Sequence, residues 1–209
     1  MDFSAKDLFK HSYCITTSDE LYGRFSRRMV ERGLPRKLLP GKFTGLYPKC
    51  IMSGKDNMQM CILSHFSLIH MASLLNWPWI TIFEDDALPR KDFFDGLQDY
   101  LKNGIPNDPS MVMWGQLHFI DITSQINGLK FASIRGHLFG THAYTVFKKG
   151  YAHYLNVNRI SQTQINPDWT EFNFPTDTYV TSKSFFIQFK NKLQYPNFLM
   201  DGERVSEFT

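Results

Sequence analysis

The segment Trp79-Ile80-Thr81-Ile82-Phe83, followed directly by Glu84-Asp85-Asp86, constrains the fold of this chain more than any other: an apolar, β-branched and aromatic run ends in three consecutive carboxylates. Bounded by Pro78 and Pro89, the run predicts a strand buried on both faces, which requires other elements above and below it. Three acids at the end of such a strand repel one another unless a cation sits among them. The pattern points to a divalent metal at the carboxyl edge of an open α/β sheet, where folds of that class hold their ligands. A polar strand-to-loop exit with solvated acids is the alternative for the same residues.

The rest of the composition is compatible with one α/β domain spanning residues 1–209. With 43% hydrophobic and 15% aromatic residues the chain is too apolar to stay disordered, and 209 residues bury a substantial core. No apolar run approaches the roughly 18 residues of a membrane span, and the N-terminus carries acids where a secretory signal needs an apolar stretch. Cys14, Cys50 and Cys61 have neither CxxC spacing nor the density of a disulfide scaffold, and they read as reduced thiols in a cytoplasmic setting. The net charge of +3 says little by itself, but basic residues crowd Arg24 to Lys49 and acids crowd Glu84 to Asp99. A basic segment attracts nucleotide phosphates or an anionic membrane surface, or else is a solvated helix face. No zinc-finger, heptad or aromatic RNA-binding pattern is present, so no nucleic-acid partner is expected.

Element signals are clearest in the first half. Tyr13 to Thr16 predicts a first strand. Thr17-Ser18-Asp19-Glu20 has capping-box spacing before a helix with Leu21, Phe25 and Met29 on one face, stopped by Gly33 and Pro35. Leu34 to Gly54 reads as a long functional loop. Lys55 to Leu75 predicts a second helix with Met58, Cys61, Ile62, Leu68, Ile69, Ala72 and Leu75 on a broad apolar face, so the opening order is β-α-α-β. A third helix is expected over Lys91 to Lys102. Further on, Met111 to Trp114 and Thr141 to Phe147 read as strands and Lys149 to Leu155 as a short helix. Asn127-Gly128 predicts a hairpin turn with Leu129 to Ile134 as its return arm. Thr176 is placed to cap a helix through Ser182, and Ser184 to Phe189 to form a last strand.

Four segments in order resemble one family. Cys61-Ile62-Leu63-Ser64-His65, then Ile82-Phe83-Glu84-Asp85-Asp86, then Gly140-Thr141-His142-Ala143-Tyr144, and finally Pro175-Thr176-Asp177 are together similar to the signature of glycosyltransferase family twenty-five, the lipopolysaccharide and collagen galactosyltransferase group. The chain departs from that pattern at Met58 and Met60, where the family has an acid and a glycine. It departs again after the first strand, where Ile15-Thr16-Thr17-Ser18 replaces the usual turn and Arg24 is displaced.

The resemblance implies a single GT-A-like, Rossmann-like α/β domain with a central mixed, mostly parallel sheet flanked by helices. It implies an inverting transferase that moves a sugar, galactose first among them, from a UDP-sugar to a hydroxyl of a glycan acceptor such as lipopolysaccharide core or another surface polysaccharide. Mn²⁺ or Mg²⁺ would neutralise the departing diphosphate as a Lewis acid. Glu84 and Asp86, two residues apart on an extended backbone, would hold that metal on one side, with Asp85 turned away toward the ribose or the strand's own surroundings. Donor contacts are expected at Thr16, Ser64, His65, Asp85, Gly140, Thr141 and His142, and Asp177 is the expected general base. The bland alternatives are a core-bonded His65 and an Asp177 that serves only as a helix-start acid. Peripheral contact with the inner membrane surface would bring a lipid-linked acceptor within reach of the basic loop. Two other classes fit the same acids: a metal-dependent phosphoryl-transfer or hydrolytic enzyme, and a catalytically silent glycan- or partner-binding relative.

Overall fold

The structure, a computed structural model, describes residues 1–45, 54–115, 118–119, 131–133, 138–139, 142–156, 175–181 and 183–188. The chain opens with a helix absent from the expected order, α1 (Ala5–Lys10), closed by a capping box in which the Ser4 hydroxyl accepts from the Asp7 amide and Asp7 reaches back to Ser4. Strand β1 (Ser12–Thr16) leads into α2 (Asp19–Glu31). The cap of α2 is Ser18, whose hydroxyl accepts from the Leu21 amide at 3.2 Å; Thr16 and not Thr17 braces it, donating to the Ser18 carbonyl at 3.0 Å. Gly33, at φ 93°, ends the helix as its backbone freedom permits.

Part of the expected 34–54 loop is an edge strand, β2 (Gly41–Thr44), parallel to β1. Its burial is slight, so hydrophobic alternation never marked it, and residues 46–53 lie outside the described set. Helix α3 (Gly54–Leu74) follows and then β3 (Trp79–Glu84), β4 (Ala87–Pro89) and α4 (Phe93–Tyr100). The opening order is therefore α-β-α-β-α-β. Phe93, Phe94, Leu97 and Leu101 are buried as the apolar pattern predicts, whereas Leu75 is 56% exposed beyond the end of α3.

The second half supplies β5 (Met111–Met113), the short pair β6 (His118–Phe119) and β8 (Leu138–Phe139), β7 (Phe131–Ser133), β9 (Ala143–Phe147), α5 (Lys148–Leu155), β10 (Thr178–Thr181) and β11 (Phe186–Gln188). One expectation changes here. Thr178–Thr181 is a strand paired with β5 and β7, not a helix capped by Thr176, because β-branched Thr and Val side chains fill an inter-strand slot. Phe131–Ser133 pairs with β10, and the expected Asn127-Gly128 turn lies outside the described residues.

Seven of these strands form one sheet in the order β2-β1-β3-β9-β5-β10-β7. The β1–β2, β1–β3 and β5–β10 pairs are parallel, and only β9 and β7 run against the rest. The observed architecture is thus the expected α/β fold with a mixed, mostly parallel sheet flanked by helices. One face packs Ile80, Ile82, Tyr144 and Val146 against Leu68, Ile69 and Ala72 of α3 and Tyr151 and Tyr154 of α5. The other packs Phe83, Val112 and Trp114 against Phe9 of α1, Phe25 and Met29 of α2, and Phe93 and Leu97 of α4. The central strand β3 is sealed on both sides, as its continuous apolar run demands.

Behind the carboxyl edge of the sheet the backbone approaches itself closely at Gly115. A Cβ there would stand 2.5 Å from the Phe186 carbonyl oxygen, 2.6 Å from His142 Nε2 and 2.8 Å from Phe186 Cβ. Gly115→Ala is expected to destabilise the fold by about 1–3 kcal/mol, at the upper end because two of the obstructing atoms belong to backbone or Cβ. Urea unfolding measures this directly, and an unchanged midpoint would refute the close approach.

Candidate active site

Glu84 closes β3 at the carboxyl edge of the sheet, and its backbone is pinned on both sides. Its amide donates to the His142 carbonyl at 3.0 Å, and the next amide, Asp85, donates to the Ile15 carbonyl at 3.1 Å. These bonds place Thr16, Glu84, Asp85, Asp86 and His142 together on one edge. The strand ends at Glu84, and residues 85–86 form a turn. Extended-strand alternation therefore does not carry through Asp86, and the expected same-side pairing of Glu84 with Asp86 loses its basis.

The two ends of the triplet meet different partners. Glu84 Oε1 lies 3.3 Å from His65 Nε2, on the face covered by α3. The other ring nitrogen, Nδ1, is 2.7 Å from the Tyr144 hydroxyl of β9. His65 is fully buried, so this Tyr144–His65–Glu84 line joins helix, central strand and neighbouring strand inside the core. Burial foremost, then the neighbouring Tyr154, Glu84 and Cys61, holds the Tyr144 phenol well above its usual range, so it stays protonated. Cys61, one helical turn before His65, completes a group in which the Cys61, His65 and Glu84 ligand atoms all lie within 4.8 Å of one another. Ser64 is buried on the same helix, with its hydroxyl donating to the Met60 carbonyl at 2.7 Å.

Asp85 and Asp86 face α2 instead. The Arg28 guanidinium donates to the Asp85 carbonyl oxygen, a contact that clamps the turn. Burial lowers the Arg28 pKa, and the carboxylates of Asp86 and Asp85 work against that fall. The same neighbourhood affects Cys14 on β1: burial first, then the carboxylates, pushes its thiol up, leaving it an unreactive core group. Sequence reasoning saw Arg28 only as one of a basic cluster. Its spacing three residues after the buried Phe25 was the available sign that it lies beside the core-facing side of α2. Other members of the cluster are spent on surface pairs, Arg24 with Glu20 and Lys42 with Asp19, each at 2.5 Å.

His142 stands directly across the β3–β9 pair from Glu84, since Phe83 is in register with Ala143. It is buried, its Nε2 lies 3.3 Å from the Phe186 carbonyl, and its Nδ1 has no hydrogen-bond partner. Burial lowers its pKa despite the Glu84 carboxylate and the Phe186 bond, so the ring is neutral. Thr16 reaches the same edge but spends its hydroxyl on the Ser18 turn. Gly140 and Thr141 lie outside the described residues.

Asp177 is the expected site residue that the sheet separates from the others. It precedes β10, whose Thr178 is in register with Met111 and so with Val146 of β9. Glu84, by contrast, is level with His142. The two carboxylates are on opposite edges, three strands apart and on the order of 20 Å distant by strand geometry. Asp177 is not followed by a helix either. At φ 62° it turns the chain into β10, and its carboxylate accepts from Lys149 Nζ at 2.8 Å. Asp177 thus stands apart from the acidic triplet in this fold. Asp177→Asn, which keeps a residue tolerant of positive φ, is expected to leave both donor binding and turnover within about twofold of the parent, because that edge holds no other site carboxylate of the triplet. A rate assay on the purified variant checks this, and loss of turnover with donor binding intact would restore Asp177 to the chemistry.

The model of glycosyltransferase family 25 (LPS biosynthesis protein) matches residues 57–168, more than half of the chain. The chain belongs to glycosyltransferase family 25. The matched segment of the family 25 model contains Cys61, Ser64, His65, Glu84, Asp85, Asp86 and His142, and it excludes Thr16, Arg28 and Asp177. No curated protein matches the chain. Among solved structures it is similar to a glycosyltransferase involved in the glycosylation of the major capsid of PBCV-1, at 13% identity over 81% of this chain and 79% of that one, TM-score 0.46. It is also similar to A197 from STIV, at 9% identity over 84% and 81% of the two chains, TM-score 0.42.

Proposed function

We propose that this family 25 glycosyltransferase moves a sugar from a nucleoside-diphosphate donor, a UDP-hexose and first UDP-galactose, to a hydroxyl of a glycan acceptor such as lipopolysaccharide core. The observation that carries the reading is the acidic triplet at the end of the central strand β3, on the same edge as Thr16 and His142 and inside the family-matched segment. Among the described residues, the Asp85 and Asp86 carboxylates lie near the Arg28 guanidinium, and two acids against one cation leave a residual negative charge that fits a divalent cation. Asp85 and Asp86, in the turn, are the oxygen donors suited to Mn²⁺ or Mg²⁺, which are bound through one or two carboxylates plus substrate phosphates. Glu84 is drawn aside toward His65. When bound, the metal would supply Lewis-acid neutralisation of the departing diphosphate.

The protein's own residues do the remaining work in this reading. Arg28 holds the Asp85 carbonyl and so sets the orientation of the turn. The bonds from Glu84 to His142 and from Asp85 to Ile15 hold the turn against the sheet, which lowers the reorganisation needed at the moment of transfer. An inverting displacement needs a base for the acceptor hydroxyl, and by the same geometry it comes from the carboxyl edge. Among the described residues no helix is long and apolar enough to cross a membrane. The basic stretch Arg24 to Lys49 would let the enzyme meet an anionic, lipid-linked acceptor from the cytoplasmic side of the inner membrane.

The test is thermal melting with UDP, with Mn²⁺, and with both. A ligand that binds only the native state raises the melting temperature, by about 2.7 kcal/mol of added stability at a hundredfold excess over its Kd. The combination is expected to exceed the sum of the separate shifts, since metal and diphosphate share ligands. No shift with any nucleoside diphosphate in the presence of Mn²⁺ or Mg²⁺ would sink the transferase reading.

A further inference from the structure

We propose that Cys61, His65 and Glu84 form a second cation site, distinct from the oxygen-donor turn, for a borderline-soft divalent metal of the Zn²⁺ type. Cys61 and His65 sit four residues apart on α3, which puts both on one helix face, and that face meets the end of β3. Their ligand atoms and that of Glu84 already lie within 4.8 Å of one another. A tetrahedral shell, with Zn–S near 2.3 Å and Zn–N near 2.0 Å, would draw these three atoms closer around the ion.

The donor set decides the metal class. Thiolate, imidazole and carboxylate together suit Zn²⁺, whereas Mn²⁺ and Mg²⁺ favour oxygen ligands. Cys61 would bind as thiolate, its proton leaving to solvent. The surroundings have the form of a ligand-orienting outer layer: the Tyr144 hydroxyl engages His65 Nδ1 at 2.7 Å, which directs Nε2 toward Glu84. An independent observation comes from His142. It is buried across the β3–β9 ladder from Glu84 with an unpartnered Nδ1, an arrangement otherwise costly in a core.

The site does not rest on the transferase reading, because binding is measured with no donor present. The full chain, stripped with chelator and dialysed against Zn²⁺ with excess Mg²⁺, is expected to retain one zinc by elemental analysis. The Co²⁺-loaded form should show a thiolate-to-metal absorption band. Cys61→Ser should abolish that band with the far-ultraviolet circular dichroism unchanged, and Tyr144→Phe should weaken zinc binding roughly 10–100-fold, as loss of a ligand-orienting partner does. Asp86→Ala should retain the zinc. Failure to retain zinc, retention indifferent to Cys61→Ser, or loss of zinc in Asp86→Ala would each overturn the proposal.

Discussion

Asp86→Ala is expected to lower sugar transfer by roughly 10²–10³-fold, the usual cost of removing one group that stabilises charge developing in the transition state. The expectation follows from the division of the triplet. Glu84 is held beside His65 at 3.3 Å, and Asp85 contributes its carbonyl to Arg28, so Asp86 is the acid whose removal changes the turn's charge without cutting either contact. The variant should remain folded, with a far-ultraviolet spectrum like the parent's, and it should lose the synergy between UDP and Mn²⁺ in melting experiments. A double measurement separates the causes: turnover reports transfer, and the melting shift reports donor binding. Parent-like turnover in Asp86→Ala would remove the turn from the chemistry and leave the family assignment without a site at this edge.

The largest stability effect is expected at Trp114. Its ring is fully buried and lies parallel to Phe3 at 6.4 Å, which ties the N-terminus to the sheet. Its indole donates to the Thr145 hydroxyl at 2.8 Å, which in turn meets Thr81 of β3 at 2.8 Å. Its backbone carbonyl accepts from the Phe185 amide at 2.8 Å. Trp114→Ala therefore removes a large apolar volume and one member of a buried polar line in a single step. The expected loss is about 3–5 kcal/mol, which for a chain of this size lowers the melting temperature by roughly 6–20 °C. Because Trp114 precedes Gly115, on which His142 and Phe186 close, donor binding should weaken together with stability. Calorimetry decides the first point, and a loss below about 1 kcal/mol would mean that the core refills the space.

Much of this arrangement is legible in the sequence. The apolar run ending in Glu84 had to be a buried strand, and the three acids had to emerge at its end. Cys61, Ser64 and His65 share a helix face by spacing alone, and the order of the four motifs pointed to family 25. Other elements left no such trace. Gly41–Thr44 is a short, poorly buried edge strand with no alternation to betray it. Thr178–Thr181 follows a Pro-Thr-Asp break that suggests a helix start, and only the slot between β5 and β7 makes it a strand.

The sequence by itself determined the local chemistry: which residues are apolar, where the acids cluster, and which side chains share a helical face. Those properties depend on neighbours within a few positions. Tertiary structure alone decided which acid meets which cation, with His65 taking Glu84 and Arg28 taking the Asp85 turn, and it placed Asp177 on the far edge of the sheet. Strand order and register are set by contacts between segments distant in the chain. A motif can therefore report that a carboxylate is present, while the pairing of strands decides what stands beside it.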